Sequence, residues 1–442
     1  MAAEPARGPF VRAARTAGVQ LLLLAALPFN LALTGAALAR GMVVATPPAE
    51  AERPMTVLVS GGKMTKALQL CRFFHRAGHR VVLVEQEKYR LTGHRFSRAV
   101  DRFHTVPRPQ DPDYAAALVD IVKAEGVDLY VPVCSPIASW YDALAAEALA
   151  PYCQVLHCEP DTVAKLDDKA AFAELAAAAG LPVPRTHRVT SAEQVAPLLA
   201  HSDRPYILKS IAYDPVHRLD LTLLPLDTPE QTAAFAAERP ISLQNPWILQ
   251  EFVTGQEYCT HSTMRDGEVR VHICCKSSGF QVNYASVEHP QIAEWVATFA
   301  ATHRLTGQVS FDFIQRSDGS LLAIECNPRT HSAITTLHDH PGVADAYLHR
   351  AGTAVEPLPG SRPTYWTYHE LWRALRAPAS ASSRLRAARS GKDAIFDWSD
   401  PLPFLFVHHL QIPVLLMHNL LRGKDWLRID FNIGKLVEPA GD

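Results

Sequence analysis

Two carboxylates and an amide interrupt apolar, strand-like stretches near residue 320. Asp312 lies within one such stretch, and Glu325 follows another that begins at Leu321. The intervening Ser317-Asp318-Gly319 predicts a hairpin turn, which would bring Asp312 close to Glu325. Asn327 lies two residues beyond Glu325, so both side chains are expected on one face of the strand. The pattern therefore predicts three oxygen-bearing side chains at one place in the fold.

The chemistry that this trio favours is the binding of a hard cation. Two adjacent buried carboxylates repel each other, and a divalent cation removes that cost. Mg²⁺ takes carboxylate and amide oxygens together with phosphate oxygens, so Asp312, Glu325 and Asn327 predict a site for two Mg²⁺ on ATP phosphates. Arg329 adds a planar donor fork for phosphate or for a developing oxyanion. The alternative, an exposed hairpin with solvated acids, is disfavoured by the apolar neighbours on both strands.

A second group of polar residues could bind the nucleotide itself. Lys209 ends the apolar strand Tyr206-Ile207-Leu208, and Lys169 begins a helix, so each could contact phosphate as a point charge. Gln250-Glu251-Phe252-Val253 follows another apolar strand and could bind an adenine edge. Glu257 could then accept from two ribose hydroxyls. The alternative for this group is an ordinary set of surface lysines and acids.

Upstream elements predict an α/β domain. The apolar stretch Thr56–Val59, a helix from Lys66 to Ala77 and the stretch Val81–Val84 form a βαβ unit, which implies a parallel sheet. The loop Ser60-Gly61-Gly62-Lys63 lies at the carboxyl end of the first strand, where open α/β sheets bind small ligands. It could contact substrate or form only a tight strand–helix turn.

From Asp168 onward the pattern changes to an Ala-rich helix followed by apolar runs of strand length. These runs predict an antiparallel-rich α+β domain. The whole chain has 442 residues, 48% apolar content and a formal net charge of −2, which is an ordinary globular composition. That balance gives no electrostatic reason to expect nucleic acid, so a small molecule is the expected partner. The eight cysteines form no CxxC pair and are expected to be buried thiols.

The N-terminus carries an uncharged apolar run, Val19–Leu38, long enough to span a bilayer and preceded by Arg7, Arg12 and Arg15. It could be a cleaved signal peptide, a spanning anchor, or an interfacial or re-entrant helix kinked at Pro28. A simple span would place the rest of the chain outside, away from ATP. We therefore expect a peripheral or hairpin-like anchor and a cytoplasmic, membrane-associated enzyme. The apolar segment 401–421 could contact the membrane surface, pack on the N-terminal helix or be a buried helix.

Over about residues 55–345 the sequence resembles the ATP-grasp superfamily, and the metal-site spacings of 13 and 15 residues are similar to those of D-alanine–D-alanine ligases. The markers that carry the resemblance follow in order: Asp168-Lys169, Gly180-Leu181-Pro182-Val183-Pro184, Lys209, Gln250-Glu251-Phe252-Val253, Gly255, Glu257, Asp312, Glu325 and Asn327. The resemblance implies ATP and Mg²⁺ as cofactors. It implies these roles: phosphate contacts for Lys169 and Lys209, adenine contacts for the Gln250–Val253 stretch, ribose for Glu257, and Mg²⁺ ligation for Asp312, Glu325 and Asn327. One departure is that the segment after Lys209 contains no glycine up to Asp220, and Arg218 could clamp phosphate in place of a glycine-rich flap.

A closer resemblance is to the mycosporine-glycine synthase family. It rests on Ser60-Gly61-Gly62-Lys63-Met64-Thr65-Lys66, Leu91-Thr92-Gly93-His94-Arg95-Phe96-Ser97, Cys259-Thr260-His261-Ser262, Gln281-Val282-Asn283-Tyr284 and Glu325-Cys326-Asn327-Pro328-Arg329-Thr330-His331-Ser332. The resemblance implies a ligase that phosphorylates an oxygen of a cyclohexenone, 4-deoxygadusol, and lets glycine displace the phosphate. His331 and Ser332 are the first candidates to contact acceptor or amino acid, and His261 and Asn283 the next.

Two other functions stay open. One is a different ATP-grasp carboxylate–amine ligase that acts through an acyl phosphate, and the other is a membrane-attached ATP-binding protein without ligase activity. The expected fold class is α/β and α+β, an ATP-grasp fold behind an N-terminal Rossmann-like domain. The expected organisation is an apolar segment and linker at 1–54, the α/β domain at 55–160, the ATP-grasp domain at 161–345 and a C-terminal extension at 346–442 that could associate with a membrane.

Overall fold

The computed structural model describes residues 8–44, 47–133, 135–212, 217, 220–277, 283–376 and 381–438. It begins with one long helix, α1 (Pro9–Val43), which is continuous through Pro28. The expected hairpin at Pro28 is therefore wrong, because one helix runs through this residue, while the kink at Pro28 stays a prediction. Leu23 and Asn30, one on each side of Pro28 in the sequence, are both buried.

The first domain is a five-stranded parallel sheet in the order β3-β2-β1-β4-β5. Its strands are β1 (Thr56–Val59), β2 (Arg80–Gln86), β3 (Arg102–Val106), β4 (Leu129–Val131) and β5 (Gln154–Val155). Its helices are α2 (Thr65–Arg76), α3 (Tyr114–Glu125) and α4 (Pro136–Leu149). Both faces of the sheet are covered, which explains the uninterrupted apolar character of β1. The expected βαβ organisation is confirmed.

The second domain contains two antiparallel sheets, in the orders β6-β8-β7 and β10-β9-β12-β13. Their strands are β6 (Thr186–Val189), β7 (Tyr206–Ser210), β8 (Trp247–Glu251), β9 (Gln256–Arg265), β10 (Glu268–Lys276), β12 (Gly307–Gln315) and β13 (Leu321–Asn327), while the short β11 (Asn283–Tyr284) lies outside these sheets. The accompanying helices are α5 (Pro160–Asp167), α6 (Lys169–Ala178), α7 (Val195–Leu199), α8 (Pro229–Ala237), α9 (Pro290–Thr302) and α10 (Val343–Leu348). The core of the larger sheet is aromatic, with Trp295 stacked on Phe299 and both packed on Phe311.

The C-terminal segment returns to the first domain and meets α1. Its elements are β14 (Thr364–Tyr365), α11 (Thr367–Arg376), α12 (Ala381–Ser390), β15 (Lys392–Asp393), α13 (Leu402–Phe406), a π-helical turn (Val407–Gln411), α14 (Ile412–Leu421), β16 (Arg428–Asp430) and β17 (Lys435–Val437). β14 joins β11 and β15 in a small sheet. α13, the π-helical turn and α14 form one continuous helical stretch, which packs against α1. Of the alternatives for 401–421, packing on the N-terminal helix is observed.

Two helices in the described part of the chain are long and apolar enough to cross a membrane by length and composition, α1 and the stretch Leu402–Leu421. Each is partly buried within the protein, so this property does not by itself distinguish a membrane helix from a packed one. The seven described cysteines are all buried and unpaired, as expected.

Candidate functional site

The β12–β13 hairpin brings the three predicted metal ligands together. Asp312 on β12 is the direct cross-strand partner of Glu325 on β13, and the register shifts immediately after this pair. The Asn327 amide Nδ2 donates to Asp312 Oδ2 at 3.5 Å. The hairpin that the apolar periodicity and the turn predict is therefore present, and its polar residues converge on one point.

The electrostatics at this point favour a bound cation. Burial, and after it the charge of Glu325, raise the pKa of Asp312 to about 7. The carboxylate thus carries an electrostatic cost that a divalent cation would remove. Two carboxylates and an amide are the oxygen donors that Mg²⁺ prefers, so the residues present fit the expected metal.

Two lysines lie beside the carboxylates. The Lys169 Nζ is 3.6 Å from Glu325 Oε1, and the Lys209 Nζ donates to Gln250 Oε1 at 3.2 Å. Burial lowers the pKa of Lys209, while the charges of Glu325 and Asp312 oppose that shift. Asp168 positions Lys169, because its side chain caps α6 by accepting from the N–H groups of Ala170 and Ala171. These two ammonium groups would meet an anion placed between them and the carboxylate-bound cations.

The predicted adenine-binding stretch Gln250–Val253 contains residues whose polar groups already have partners within the protein. The Glu251 side chain is buried and bonded to Arg204 and Arg316, at 2.6 Å each. It therefore holds three segments together, and a nucleotide could meet only its backbone. The Glu251 pKa is accordingly lowered by these partners, against the opposing effect of burial.

The other three residues of that stretch differ in which hydrogen-bonding groups remain available to a nucleotide. The Gln250 side chain links Lys209 and the Thr186 hydroxyl. The Phe252 N–H donates to the Pro205 carbonyl. In the described part of the chain, the Val253 N–H has no hydrogen-bond partner, so it is the free donor that an adenine ring nitrogen could use.

Glu257, the predicted ribose contact, lies exposed at the start of β9. Its charge acts on both Lys209 and Asp312, which places it beside the same cluster. The turn that precedes it requires glycine at 255, because a Cβ there would overlap the Gln315 carbonyl. Arg218, the predicted phosphate clamp, lies outside the described residues.

Arg329 lies directly against the predicted metal ligands. Its guanidinium donates to the Asn327 Oδ1 and pairs with Asp167 at 3.2 Å. The planar guanidinium is thus already oriented by an amide and a carboxylate.

His331 is held as a neutral donor. Burial, and then the charges of Lys66 and Arg329, lower its pKa to about 3. Its Nδ1 accepts from the Ala333 N–H at 3.2 Å, so the ring proton lies on Nε2. Ser332 differs, since its hydroxyl donates to Asn432 Oδ1 at 2.9 Å and so ties this loop to the C-terminal segment. His261 accepts from the His331 backbone N–H at 3.2 Å, which indicates a positioning rather than a substrate-binding role.

Lys66 was missed as a site residue in the sequence, where it only begins a helix. It is buried, and its Nζ donates to the Thr330 carbonyl at 2.5 Å, next to His331. A lysine in the first turn of the helix that follows a glycine-rich loop was the available signal. The loop itself borders a small open cleft lined by Ser60, Gly61, Lys63, Glu85, Ser135 and Asp142, among others.

Solved structures of other proteins are similar to this chain in fold. An ADP complex of N5-carboxyaminoimidazole ribonucleotide synthetase is 14% identical with a TM-score of 0.54, over 76% of this chain and 87% of that one. A biotin carboxylase complex with β,γ-ATP from Campylobacter jejuni is 14% identical with a TM-score of 0.53, over 68% and 72%. The chain has an ATP-grasp fold. The expected fold class is thereby confirmed.

Two further solved structures are similar to this chain. The ADP complex of the N5-carboxyaminoimidazole synthetase from Staphylococcus aureus is 14% identical with a TM-score of 0.52, over 72% of this chain and 82% of that one. The chain spans 65% of the biotin carboxylase domain of the Hydrogenobacter thermophilus 2-oxoglutarate carboxylase, at 14% identity and a TM-score of 0.49. No protein-family model and no curated protein match the sequence.

Replacing Lys209 by methionine should weaken ATP binding. The variant keeps the apolar stem but loses the charge, and a charge-assisted hydrogen bond contributes about 1.5–3 kcal/mol, so we expect KM for ATP to rise roughly 10- to 150-fold. Steady-state ADP formation measures this. The exposed Lys165 on α5 offers a matched control, Lys165→Met, which should leave KM unchanged. An unchanged KM in Lys209→Met would contradict the phosphate contact.

The raised pKa of Asp312 predicts a pH-dependent stability of the metal-free protein. Its folded pKa of about 7 exceeds the ordinary aspartate value of 3.8, so the folded state binds this proton more tightly. The resulting stabilisation is complete below pH of about 4 and is lost as pH rises through about 7. Melting temperatures in chelator should therefore fall over this window more in the wild type than in Asp312→Asn, and saturating Mg²⁺ should restore stability above pH of about 7. Identical pH profiles of the two proteins would contradict the assignment.

Proposed function

We propose that this protein is an ATP- and Mg²⁺-dependent ligase that phosphorylates an oxygen of a small acceptor and lets an amine displace the phosphate. The observation that carries the proposal is the direct pairing of Asp312 with Glu325, with the Lys169 ammonium 3.6 Å from the Glu325 carboxylate. The two half-buried carboxylates repel each other, and a divalent cation bound beside them would remove that cost. When bound, Mg²⁺ would neutralise charge that develops on the phosphates.

The residues around the carboxylates would have separate roles in binding the nucleotide and the acceptor. Lys169 and Lys209 would orient the phosphates, and Gln250 with the Val253 N–H would hold the base. Arg329 would stabilise the transferred phosphoryl group. On the far side of Arg329, the neutral His331 could donate its Nε2 proton to an acceptor oxygen, because its pKa keeps it uncharged at neutral pH. Lys66, beside it, would favour an anionic acceptor such as an enolate.

The substrates we propose are 4-deoxygadusol and glycine, from the resemblance to mycosporine-glycine synthases. The enolic oxygen of the cyclohexenone is a poor leaving group until the γ-phosphoryl group is attached. The glycine nitrogen then adds to the ring carbon, the C–O bond breaks, and phosphate and a proton leave. Net products are mycosporine-glycine, ADP and phosphate.

Purified protein with ATP, Mg²⁺, 4-deoxygadusol and glycine tests this proposal. We expect an ultraviolet-absorbing product that accumulates in step with ADP and requires all four components. ADP formation without the product, or product formation without ATP, would contradict it.

A second candidate is a carboxylate–amine ligase that acts through an acyl phosphate. The similarity in fold to N5-carboxyaminoimidazole ribonucleotide synthetase and biotin carboxylase favours this chemistry over other uses of ATP. Hydroxylamine distinguishes the candidates, because it traps an acyl phosphate as a hydroxamate. Hydroxamate formation with a carboxylic acid acceptor, and no turnover of 4-deoxygadusol, would favour the second candidate.

We also propose that the enzyme works on the cytoplasmic side, since ATP is available there. An active enzyme recovered only from the external face of intact cells would contradict this location.

A further inference from the structure

The long N-terminal helix α1 has an inverted distribution of polarity. Its buried stripe recurs at seven-residue intervals and contains polar residues, with Thr16 2% and Asn30 1% exposed. Its outward face is apolar, with Leu22 64% and Phe29 70% exposed. A helix that faced water would show the opposite pattern. The outward face of α1 is therefore suited to an apolar environment.

The neighbouring helix α14 repeats the inversion. Its outward residues Val414, Met417 and Leu421 lie three and four positions apart on one stripe and are at least 40% exposed. Its polar Asn419 and the preceding Gln411 are buried, each at 2%. The two adjacent helices thus present apolar faces that stay exposed even though the helices pack against each other.

Polar contacts hold α1 along the body of the protein. Near its start, the Arg15 guanidinium donates to the Trp426 and Leu427 carbonyls. Further on, Gln20 donates to the Pro413 carbonyl at 2.9 Å, and Asn30 donates to the Tyr368 hydroxyl at 2.6 Å. A helix fixed along such a length cannot cross a bilayer while the catalytic domains stay on one side. It can only lie parallel to the membrane surface.

The charges around the face favour an anionic surface. Neither α1 nor the stretch Leu402–Leu421 contains an acidic residue. Arg40 lies 5.5 Å above the ring of the half-exposed Trp398 at one end, and the exposed Arg422 lies at the other. Tryptophan and arginine at the rim of an apolar face are typical of the lipid headgroup region. A second copy on this face would bring basic ends against basic ends, which disfavours a dimer.

We propose that α1 and α14 form a docking face for an anionic lipid bilayer, on which the protein lies with both helices in the plane of one leaflet. The apolar side chains would enter the acyl boundary and the basic rim would meet the headgroups. This attachment is independent of the proposed ligase activity. It would keep the catalytic site at the membrane surface without placing any segment across the bilayer.

Sedimentation with vesicles tests the proposal on the full-length protein. We expect binding to mixed phosphatidylcholine–phosphatidylglycerol vesicles that is weaker with phosphatidylcholine alone and weaker at high salt. The double variant Leu22→Gln/Phe29→Gln should bind about 100-fold more weakly, because two apolar side chains leave the acyl boundary. The matched control is Leu243→Gln, which changes an equally exposed leucine (74%) outside the two helices and should bind as the wild type does. ADP formation should be unchanged in both variants.

Three results would overturn this proposal. The first is wild-type protein that binds neither kind of vesicle. The second is a dimer in light scattering that Leu22→Gln/Phe29→Gln converts to monomer without any effect on vesicles, which would mean that a second copy covers the face. The third is an N-terminal tag that protease outside sealed spheroplasts removes, which would mean that α1 crosses the membrane.

Discussion

Replacing Glu325 by glutamine should reduce ADP formation by about 10²–10³-fold or more while the protein stays folded. The change removes one negative charge and keeps the size of the side chain. Two of the interactions around the site depend on that charge: the repulsion that raises the pKa of Asp312 and the pairing with Lys169. Without it, the site would lose one of the carboxylates that could hold Mg²⁺. Steady-state kinetics at saturating ATP and Mg²⁺ measure the loss.

The same hairpin supplies a control for this variant. Asp318 lies in the turn between the two strands, where its carboxylate bonds to Ser320 and is far from the cluster. Asp318→Asn should keep wild-type turnover. The melting temperature of metal-free Glu325→Gln should be no lower than that of the wild type, because the change relieves repulsion with Asp312. Full activity in Glu325→Gln would refute the metal assignment.

Replacing Asp400 by alanine should lower the free energy of unfolding by about 3–5 kcal/mol, because it leaves Arg72 as a buried charge without its carboxylate. The Arg72 Nε donates to Asp400 Oδ2 at 2.9 Å, and both side chains are buried. Asp400 also accepts from the Ser97 hydroxyl and the Arg98 N–H. One carboxylate therefore joins the C-terminal segment to α2 and to the loop before β3.

Urea denaturation of the metal-free protein measures this effect. The pair Glu87–Arg90 is a suitable contrast, since both side chains are more than 60% exposed. Glu87→Ala should change the free energy of unfolding by less than about 1 kcal/mol. Equal effects of the two substitutions would contradict the importance of the buried pair.

Much of the catalytic end could be predicted because its signals are local. A hairpin turn and strand alternation suffice to place Asp312 opposite Glu325, and an N-cap aspartate before an alanine-rich run suffices to begin α6 at Lys169. Such patterns depend on neighbours within about twenty residues, and backbone geometry then fixes where the side chains point.

The rest depends on contacts between distant parts of the chain. Glu251 belongs to an adenine-like motif in sequence, but Arg204 and Arg316 come from different segments and occupy its side chain. Ser332 bonds to Asn432, which lies a hundred residues on. Neither partner carries a periodic or motif signal, so only the folded structure reveals them.

For α1, the sequence predicts an apolar helix but does not predict which side of it faces the protein. Its apolar composition is plain in the sequence, where Asn30 and Gln20 are only polar interruptions of an apolar run. The structure shows that these polar side chains face the protein body instead. Composition averages over all faces of a helix, and the direction of each side chain becomes meaningful only when the packed side is known.

The central claim is that the hairpin carboxylates hold divalent cations on the phosphates of ATP. Mn²⁺ electron paramagnetic resonance, with a non-hydrolysable ATP analogue, tests it without any knowledge of the acceptor. We expect two Mn²⁺ bound per wild-type protein in the presence of the analogue, and weakened binding in Glu325→Gln but not in Asp318→Asn. Wild-type protein that binds no Mn²⁺, or equal binding in all three proteins, would contradict the account.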